Sequence, residues 1–200
     1  MIARRLRAEP EVYTLDGLVS EEERQELLRI AGETWRGEAE GGEVHVNETG
    51  LCFELPIEGE PLLEALRGRL ERLMGYESGL GYTFRVRRYG PGNGHPPHLD
   101  CYGAEGFELL ATSMLVLNAP ESGGHTGFPR ATPEPCSVPP VSGRALIWFN
   151  HLPDGRPDPA SLHVGEEVKV GEKVVLLYFF YAPAQIAAVR QLAASAGESG

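Results

Sequence analysis

The stretch RVRRYGPGNGHPPHLD, residues 85–100, decides the fold of this chain, because a strand pattern ends there in a turn and a histidine–aspartate pair. The letters YTFRVRRY at 82–89 alternate in the manner of a half-buried strand. The glycines and prolines of 90–97 then predict a turn. On extended backbone, His98 and Asp100 would lie on the same face, because side chains alternate with a period of two. An imidazole and a carboxylate placed in this way can chelate one metal ion.

Three later stretches continue the strand pattern. They are ATSMLVLN at 111–118, RALIWF at 144–149 and KVVLLYFFY at 173–181, of which the last two are apolar enough to be largely buried. Two long loops rich in proline and glycine separate them, at 118–140 and 150–163, and loops of this length in a compact domain are usually functional. The 25 glycines and 16 prolines of the chain also favour a turn-rich β architecture over a helical bundle.

Helices are predicted in the N-terminal part. Ser20 and Glu23 stand three residues apart, as in a capping box, and mark the start of a helix that Gly32 is expected to end. Residues 36–50 are polar and rich in glycine, which predicts a loop. Pro61 begins a second helix, in which leucines recur at helical spacing.

Together these elements predict one domain, mainly β with flanking α-helices. An N-terminal part, 1–80, holds a strand at 12–15 and the two helices, which pack on the core. The β core follows at 81–183, and a C-terminal helix and tail occupy 184–200.

Composition excludes several classes of partner. The 200 residues carry a net charge of −11, which argues against nucleic acid or an anionic membrane surface as the main partner. The longest apolar run, VVLLYFFYA from Val174, is too short to span a bilayer, and the N-terminus lacks the apolar core of a signal peptide. The three cysteines are scattered and odd in number, which suits a reducing compartment, so we expect a cytoplasmic protein.

A metal held by His98 and Asp100 needs a third ligand from elsewhere in the chain. His163 is the candidate, because it follows the turn-rich DGRPDPASL and lies at the edge of a buried strand pair. Two histidines and one carboxylate form the facial arrangement typical of non-haem Fe(II) oxygenases, which leaves coordination positions open for substrate and oxygen. The other histidines receive no ligand role; they are His45, His95, His125 and His151.

Residues 85–181 resemble the catalytic domain of the Fe(II)/2-oxoglutarate-dependent dioxygenases, in their prolyl 4-hydroxylase branch. Three stretches carry the resemblance: RVRRYGPGNGHPPHLD, LVLNAPESGGHTGFP and GRALIWFNHLPDGRPDPASLHVGEEVKVGEKVVLLYFF. The N-terminal VYTLDGLVSEEERQELLRIA is similar to the entry strand and helix of this family. The resemblance implies a double-stranded β-helix, or jelly roll, as the core.

The resemblance also implies roles for individual residues. His98, Asp100 and His163 would bind Fe(II), and Lys173 would bind the distal carboxylate of 2-oxoglutarate. A lysine suits that role because a buried anion needs a paired charge. Tyr89 matches a position that hydrogen-bonds the co-substrate. O2 would be the oxidant, with ascorbate as an optional reductant, and the products would be succinate, CO2 and a hydroxylated substrate.

Two positions depart from the family pattern. Val116 stands where related enzymes carry a tyrosine that contacts the co-substrate, and Tyr178 or Thr112 are the candidates to replace it. His125 stands where the family often has a glutamate, and this change would alter the rim of the pocket without affecting the metal ligands.

The expected substrate is a prolyl residue in a peptide or protein. Substrate choice would depend on the loops at 36–50 and 118–140, with Arg130 or Arg156 as a polar contact. Two alternatives stay open: hydroxylation of a free amino acid or other small metabolite, and a non-catalytic β-sandwich that holds a metal such as zinc. The sequence gives no indication of the oligomeric state.

Overall fold

The computed structural model describes residues 1–41, 45–47, 50–75, 83–100 and 107–183. The helices are α1 Glu21–Gly41 and α2 Pro61–Met74, with a short 3₁₀-helix at Pro159–Ser161. The strands are β1 Ile2–Arg7, β2 Val12–Asp16, β3 His45–Asn47, β4 Gly50–Pro56, β5 Thr83–Tyr89, β6 His95–His98, β7 Phe107–Asn118, β8 Ser122–Gly123, β9 Thr126–Phe128, β10 Cys136–Val138, β11 Ala145–Phe149, β12 His163–Gly165, β13 Val168–Val170 and β14 Lys173–Pro183.

The strands form a large and a small antiparallel sheet, with a separate two-stranded ribbon. The large sheet has eight strands in the order β1-β2-β11-β7-β14-β5-β4-β3, and the small sheet has four in the order β10-β9-β12-β6. Strands β13 and β8 pair with each other. One hydrophobic cluster joins Phe128 and Val138 of the small sheet to Trp148 and Val175 of the large one, so the two sheets pack face to face.

A second hydrophobic cluster covers the outer face of the large sheet. Leu63, Leu66 and Leu70 of α2 are buried there, and they recur at the helical spacing seen in the sequence. Along β14 the side chains alternate between the two layers: Leu176 belongs to the outer cluster and Leu177 to the inner one. The predicted mainly β fold with flanking helices is therefore confirmed.

The start of α1 was predicted correctly and its end was not. The Ser20 backbone N–H donates to Glu23 Oε2 at 2.9 Å, and the Glu23 N–H donates to Ser20 Oγ at 3.1 Å, which completes the capping box. The helix nevertheless continues past Gly32 to Gly41. Glycine weakens a helix interior by only about 1 kcal/mol, and the residues that follow are mostly good helix formers.

The predicted loop at 36–50 is also wrong in part. Residues 36–41 belong to α1, and 45–47 form β3, which pairs with β4. Further strands were missed: β1, which pairs with β2, and β4, which pairs with β5 of the core. The short strands β6, β8, β9, β10, β12 and β13 were missed as well, and several of them lie in segments predicted as turns or loops. The division at residue 80 stays a prediction, and the predicted helix and tail at 184–200 lie outside the described residues.

Neither α1 nor α2, the two long helices in the described part of the chain, is both long and apolar enough to cross a membrane.

Candidate metal centre and its cavity

The three predicted metal ligands meet at the edge of the small sheet. His98 ends β6 and His163 begins β12, and the two residues are direct partners in the antiparallel register. Asp100 follows two residues after His98, with Oδ1 3.4 Å from His98 Nε2 and Oδ2 3.6 Å from His163 Nε2. The ligand atoms of all three side chains lie within 4.8 Å of one another. Among the described residues, this is the one cluster of metal-ligating side chains.

Each imidazole of the cluster is oriented by a backbone carbonyl. His98 Nδ1 lies 2.9 Å from the carbonyl oxygen of Pro96, and His163 Nδ1 lies 2.9 Å from that of Ser161. Because a carbonyl only accepts, Nδ1 carries the proton in each ring. The lone pair is therefore left on Nε2, which faces the centre of the cluster, as in metal-bound histidines.

The carboxylate is held by a buried polar chain that the sequence reading did not assign. Thr112 Oγ1 in β7 donates to Asp100 Oδ2 at 2.9 Å. Asn150, fully buried after β11, donates from Nδ2 to Thr112 Oγ1 at 3.3 Å. These contacts fix the carboxylate from the side of the large sheet, so the two sheets together set the geometry of the cluster.

Burial and charge act on the titration of the cluster in opposite directions. Burial would raise the pKa of Asp100, but the hydrogen bond and positive charge of the histidines outweigh it and hold that pKa below its usual value. Burial lowers the pKa of His163. For His98, burial lowers the pKa, but the Asp100 carboxylate more than compensates and leaves it raised. A cation bound between these groups would replace the proton that His98 otherwise holds beside the Asp100 carboxylate.

The cluster lies in the wall of a cavity of about 260 Å³ between the sheets. Apolar side chains, among them Met114, Trp148 and Leu177, form part of its lining. Trp148 packs on the metal cluster, with its ring centroid 4.7 Å from that of His163. The polar lining outside the metal cluster consists of Arg85, Arg87, Tyr89, His95, Thr126 and Lys173.

Lys173 is a buried cation inside this cavity. Its side chain is only 3% exposed, and Nζ donates to the carbonyl oxygen of Gly124 at 2.7 Å, with Thr126 Oγ1 at 3.5 Å. No described carboxylate forms an ion pair with it. Burial lowers its pKa to about 8, although the negative charge of Glu166 acts in the opposite direction. A cation in this environment fits an anionic ligand, because a carboxylate would supply the missing countercharge.

Tyr89 also lines the cavity, directly opposite Lys173 in the register of β5 and β14. The ammonium lies 5.9 Å from the centroid of its ring. Burial raises the pKa of the phenol to about 12, so the hydroxyl keeps its proton and remains a donor at neutral pH. The location fits the predicted contact with a co-substrate, which itself stays a prediction.

The two departures from the family pattern, Val116 and His125, both lie outside the lining of the cavity. Val116 is buried in the inner hydrophobic cluster and does not line the cavity. Tyr178 does not replace a tyrosine there, because it lies on the outer face of the sheet and donates to Glu71 at 2.9 Å. Thr112 is committed to Asp100. His125 is absent from the cavity lining, and its carbonyl accepts a hydrogen bond from the Glu166 N–H at 2.8 Å.

The remaining histidines are not brought into the cluster as ligands. His95 lines the cavity with its ring 4.0 Å from that of His98, and burial lowers its pKa to about 4. His151 pairs with Glu108 at 3.1 Å, and the side chain of His45 lies outside the described part. Arg130 and Arg156 are exposed and do not line the cavity, and Arg156 pairs with Asp154; their polar contact with a substrate stays a prediction.

Known proteins are similar to this chain in both sequence and fold. The model of the 2OG-Fe(II) oxygenase superfamily matches residues 84–181. The human prolyl 4-hydroxylase subunit alpha-3 is 31% identical over 182 residues, covering 84% of this chain and 33% of that protein. Prolyl 4-hydroxylase 1 of Arabidopsis thaliana is 33% identical over 129 residues, covering 56% and 45%. The chain thus spans less than half the length of these curated relatives.

Among solved structures, a viral collagen prolyl hydroxylase from Paramecium bursaria Chlorella virus-1, in complex with 2-oxoglutarate, superposes with a TM-score of 0.70. It is 22% identical, and the match covers 86% of this chain and 95% of that one. This likeness confirms the predicted jelly-roll core. The segment 84–181 belongs to the 2OG-Fe(II) oxygenase superfamily. Within that superfamily it is prolyl hydroxylase-like, as the relatives show.

Proposed function

We propose that this protein is an Fe(II)- and 2-oxoglutarate-dependent dioxygenase that hydroxylates an unactivated C–H bond, with a prolyl residue of a peptide or protein as substrate. One observation carries the proposal: the histidine–aspartate–histidine cluster lines the same cavity as the buried Lys173, which forms no ion pair with a carboxylate among the described residues. A metal site alone would not need the lysine, and a lysine this deeply buried needs an anion.

The donor set fits Fe(II). Two imidazole nitrogens and one carboxylate, supplied by His98, His163 and Asp100, match the facial triad that leaves coordination positions open. A structural zinc site would need a fourth protein ligand, and none lies with these three among the residues that the structure describes. The fixed Nδ1–H groups and the Thr112 hydrogen bond give the ligands the outer support typical of metal sites.

The co-substrate fits the part of the cavity around Lys173. The ammonium would pair with the distal carboxylate of 2-oxoglutarate, while Thr126 and Tyr89 would provide hydroxyl groups beside it. Bound Fe(II) and 2-oxoglutarate supply, with O2, the oxidative decarboxylation that yields succinate and CO2 and adds one oxygen atom to the substrate. The apolar wall of Met114, Trp148 and Leu177 would exclude water from the reacting groups.

The relatives support a prolyl substrate. Those named above are prolyl 4-hydroxylases, and a prolyl hydroxylase from Trichoplax adhaerens has been solved with a peptide fragment of a hypoxia-inducible factor. That structure is 14% identical with a TM-score of 0.65, covering 90% of this chain and 86% of its own.

The cytoplasmic location that the sequence led us to expect stays a prediction.

The test is turnover by the purified protein with Fe(II), 2-oxoglutarate and O2. Proline-containing peptides and free amino acids are screened for succinate release and for a product heavier by one oxygen atom. We expect a prolyl peptide to stimulate succinate release, and Asp100→Ala to abolish it. Asp154→Ala is the matched control, because Asp154 pairs with Arg156 at the exposed surface.

The outcomes separate the alternatives. Turnover with free amino acids alone would favour the small-metabolite hydroxylase. Absence of any succinate release from iron-loaded protein, together with tight zinc binding, would favour the non-catalytic β-sandwich and contradict the proposal.

A further inference from the structure

The cavity contains a second cation that the proposed chemistry does not use. Alternation along β5 directs Arg85, Arg87 and Tyr89 toward the cavity, while Val86 belongs to the outer cluster. Arg85 is neutralised, because its Nε donates to Glu54 Oε1 at 2.7 Å. Arg87 forms no ion pair with any described carboxylate, and its Nη1 atom is buried with no hydrogen-bond partner in the described part of the chain.

Arg87 and Lys173 occupy different parts of the cavity. Lys173 lies opposite Tyr89 in the strand register, whereas Arg87 lies opposite Val175, one inward position further along the sheet. Inward positions on a strand are about 7 Å apart. Arg87 lines the same cavity as the metal cluster.

If the proposed function is correct, charge balance leaves Arg87 as the cation of this cavity that has no paired carboxylate among the described residues. Fe(II) is balanced by the Asp100 carboxylate together with one carboxylate of 2-oxoglutarate. Lys173 is balanced by the other. The Arg87 side chain is half-buried, with its Nη1 atom fully buried, and it would then lack a described countercharge beside the place where the C–H bond is oxidised, so an anion that reaches it would be favoured.

We propose that the prime substrate brings a carboxylate close to the carbon that is hydroxylated, and that Arg87 binds it. This inference rests on the proposed iron and 2-oxoglutarate chemistry and specifies the charge of the substrate, whether that substrate is a prolyl peptide or free proline. The carboxylate is either the α-carboxylate of a terminal or free proline, or the side chain of an acidic residue adjacent to a prolyl residue. Because the protein carries a net charge of −11, a single carboxylate suits it better than a strongly acidic peptide.

Matched ligand pairs test the proposal by calorimetry on anaerobic protein loaded with Fe(II) and 2-oxoglutarate. The pairs are a peptide ending in proline as acid and as amide, a peptide with Pro-Glu and with Pro-Gln, and free proline with prolinamide. We expect the wild-type protein to bind one carboxylate member at least tenfold more tightly than its amide, because a hydrogen bond to a charged group contributes about 1.5–3 kcal/mol. The pair that shows the preference identifies the source of the carboxylate.

Three variants complete the design. Arg87→Gln should remove the preference, and Arg87→Lys should keep part of it. Arg88→Gln is the control: Arg88 is the neighbouring arginine, on the opposite face of β5, and pairs with Glu172. It should retain the full preference.

Several other results of these titrations would overturn the inference. Equal binding of acid and amide by the wild-type protein, binding of no carboxylate ligand, or an unchanged preference in Arg87→Gln would each overturn this inference. Loss of 2-oxoglutarate binding in Arg87→Gln with an intact substrate preference would assign Arg87 to the co-substrate and overturn it as well. If wild-type protein fails to bind 2-oxoglutarate at all, the proposed function itself fails, which the co-substrate titration shows separately.

Discussion

His98 and His163 face each other across strands β6 and β12, with their ring centroids 4.2 Å apart. They are 65 positions apart in the chain, and the antiparallel register alone makes them neighbours. Because Asp100 completes the group from the same strand end, the metal centre depends on correct pairing in the small sheet.

Metal binding should be visible through Trp148, whose ring lies beside His163. We predict that Co(II), added anaerobically in place of Fe(II), quenches part of the tryptophan fluorescence at one equivalent. His163→Ala should abolish the saturable quenching, and His125→Ala, which removes an imidazole outside the cavity, should leave it intact. Equal quenching in His163→Ala would place the ion elsewhere.

The Thr112 hydroxyl should position the Asp100 carboxylate through its hydrogen bond. Thr112→Val removes the donor at nearly constant volume, and we expect metal affinity to fall by about 10- to 100-fold. Thr112→Ser keeps the hydroxyl and should retain most of the affinity. Competition against a chelator of known affinity measures both. A valine variant with wild-type affinity would show that the threonine has only a packing role.

Lys173 should lower the stability of the ligand-free protein, because its pKa is about 8 in the folded state against 10.5 in model compounds. Below pH 8 it is protonated in both folded and unfolded states, and the full cost of burying the charge applies. Between pH 8 and 10.5 the unfolded chain binds more protons, so the free energy of unfolding should rise with pH.

Lys173→Met should therefore stabilise the ligand-free protein at pH 7 by about 1–3 kcal/mol, while 2-oxoglutarate binding is lost. Denaturant unfolding at pH 7 and 9.5 measures the first effect, and titration of the metal-loaded protein measures the second. A destabilised methionine variant that still binds 2-oxoglutarate would show that the lysine is a structural residue.

Gly123 fixes the segment that supplies the carbonyl partner of Lys173. Its φ is +79°, and a Cβ there would lie 2.3 Å from the Glu167 carbonyl oxygen. Gly59 has a similar φ of +84° but open space around it. Gly59→Ala should cost about 1–2 kcal/mol, the usual penalty of a left-handed backbone, and Gly123→Ala should cost more and weaken 2-oxoglutarate binding. Equal losses of unfolding free energy in the two variants would contradict this.

The ligands were predictable from sequence because their signals are local. HPPHLD places His98 and Asp100 within three residues of each other. His163 directly follows a turn-rich segment, and Lys173 stands two residues after Gly171, so each is marked by its immediate neighbours in the sequence. The supporting residues lack such a signal. Thr112 lies in β7 and Asn150 directly follows β11, and only the pairing of these two strands brings both residues to the carboxylate.

The sequence also indicated that Arg87 faces the cavity, but the prediction did not use this indication. The alternation in FRVRRY places it on the same face as Tyr89, so a polar inward position was readable once Tyr89 was assigned to the cavity. The missed strand β1, in contrast, has no clear alternation. It lies at the exposed edge of the large sheet, where three arginines are tolerated and burial imposes no pattern.

We propose that one cavity holds a metal ion on His98, Asp100 and His163 and an anion on Lys173. Anaerobic titration of the protein with Fe(II), with and without 2-oxoglutarate, tests it by the visible charge-transfer absorption of an Fe(II)–2-oxo acid chelate. We predict that the band appears at one equivalent of iron only when 2-oxoglutarate is present, and that Asp100→Ala and Lys173→Met each prevent it at stoichiometric concentrations. No band in the wild-type protein, or an undiminished band in both variants, would contradict this account.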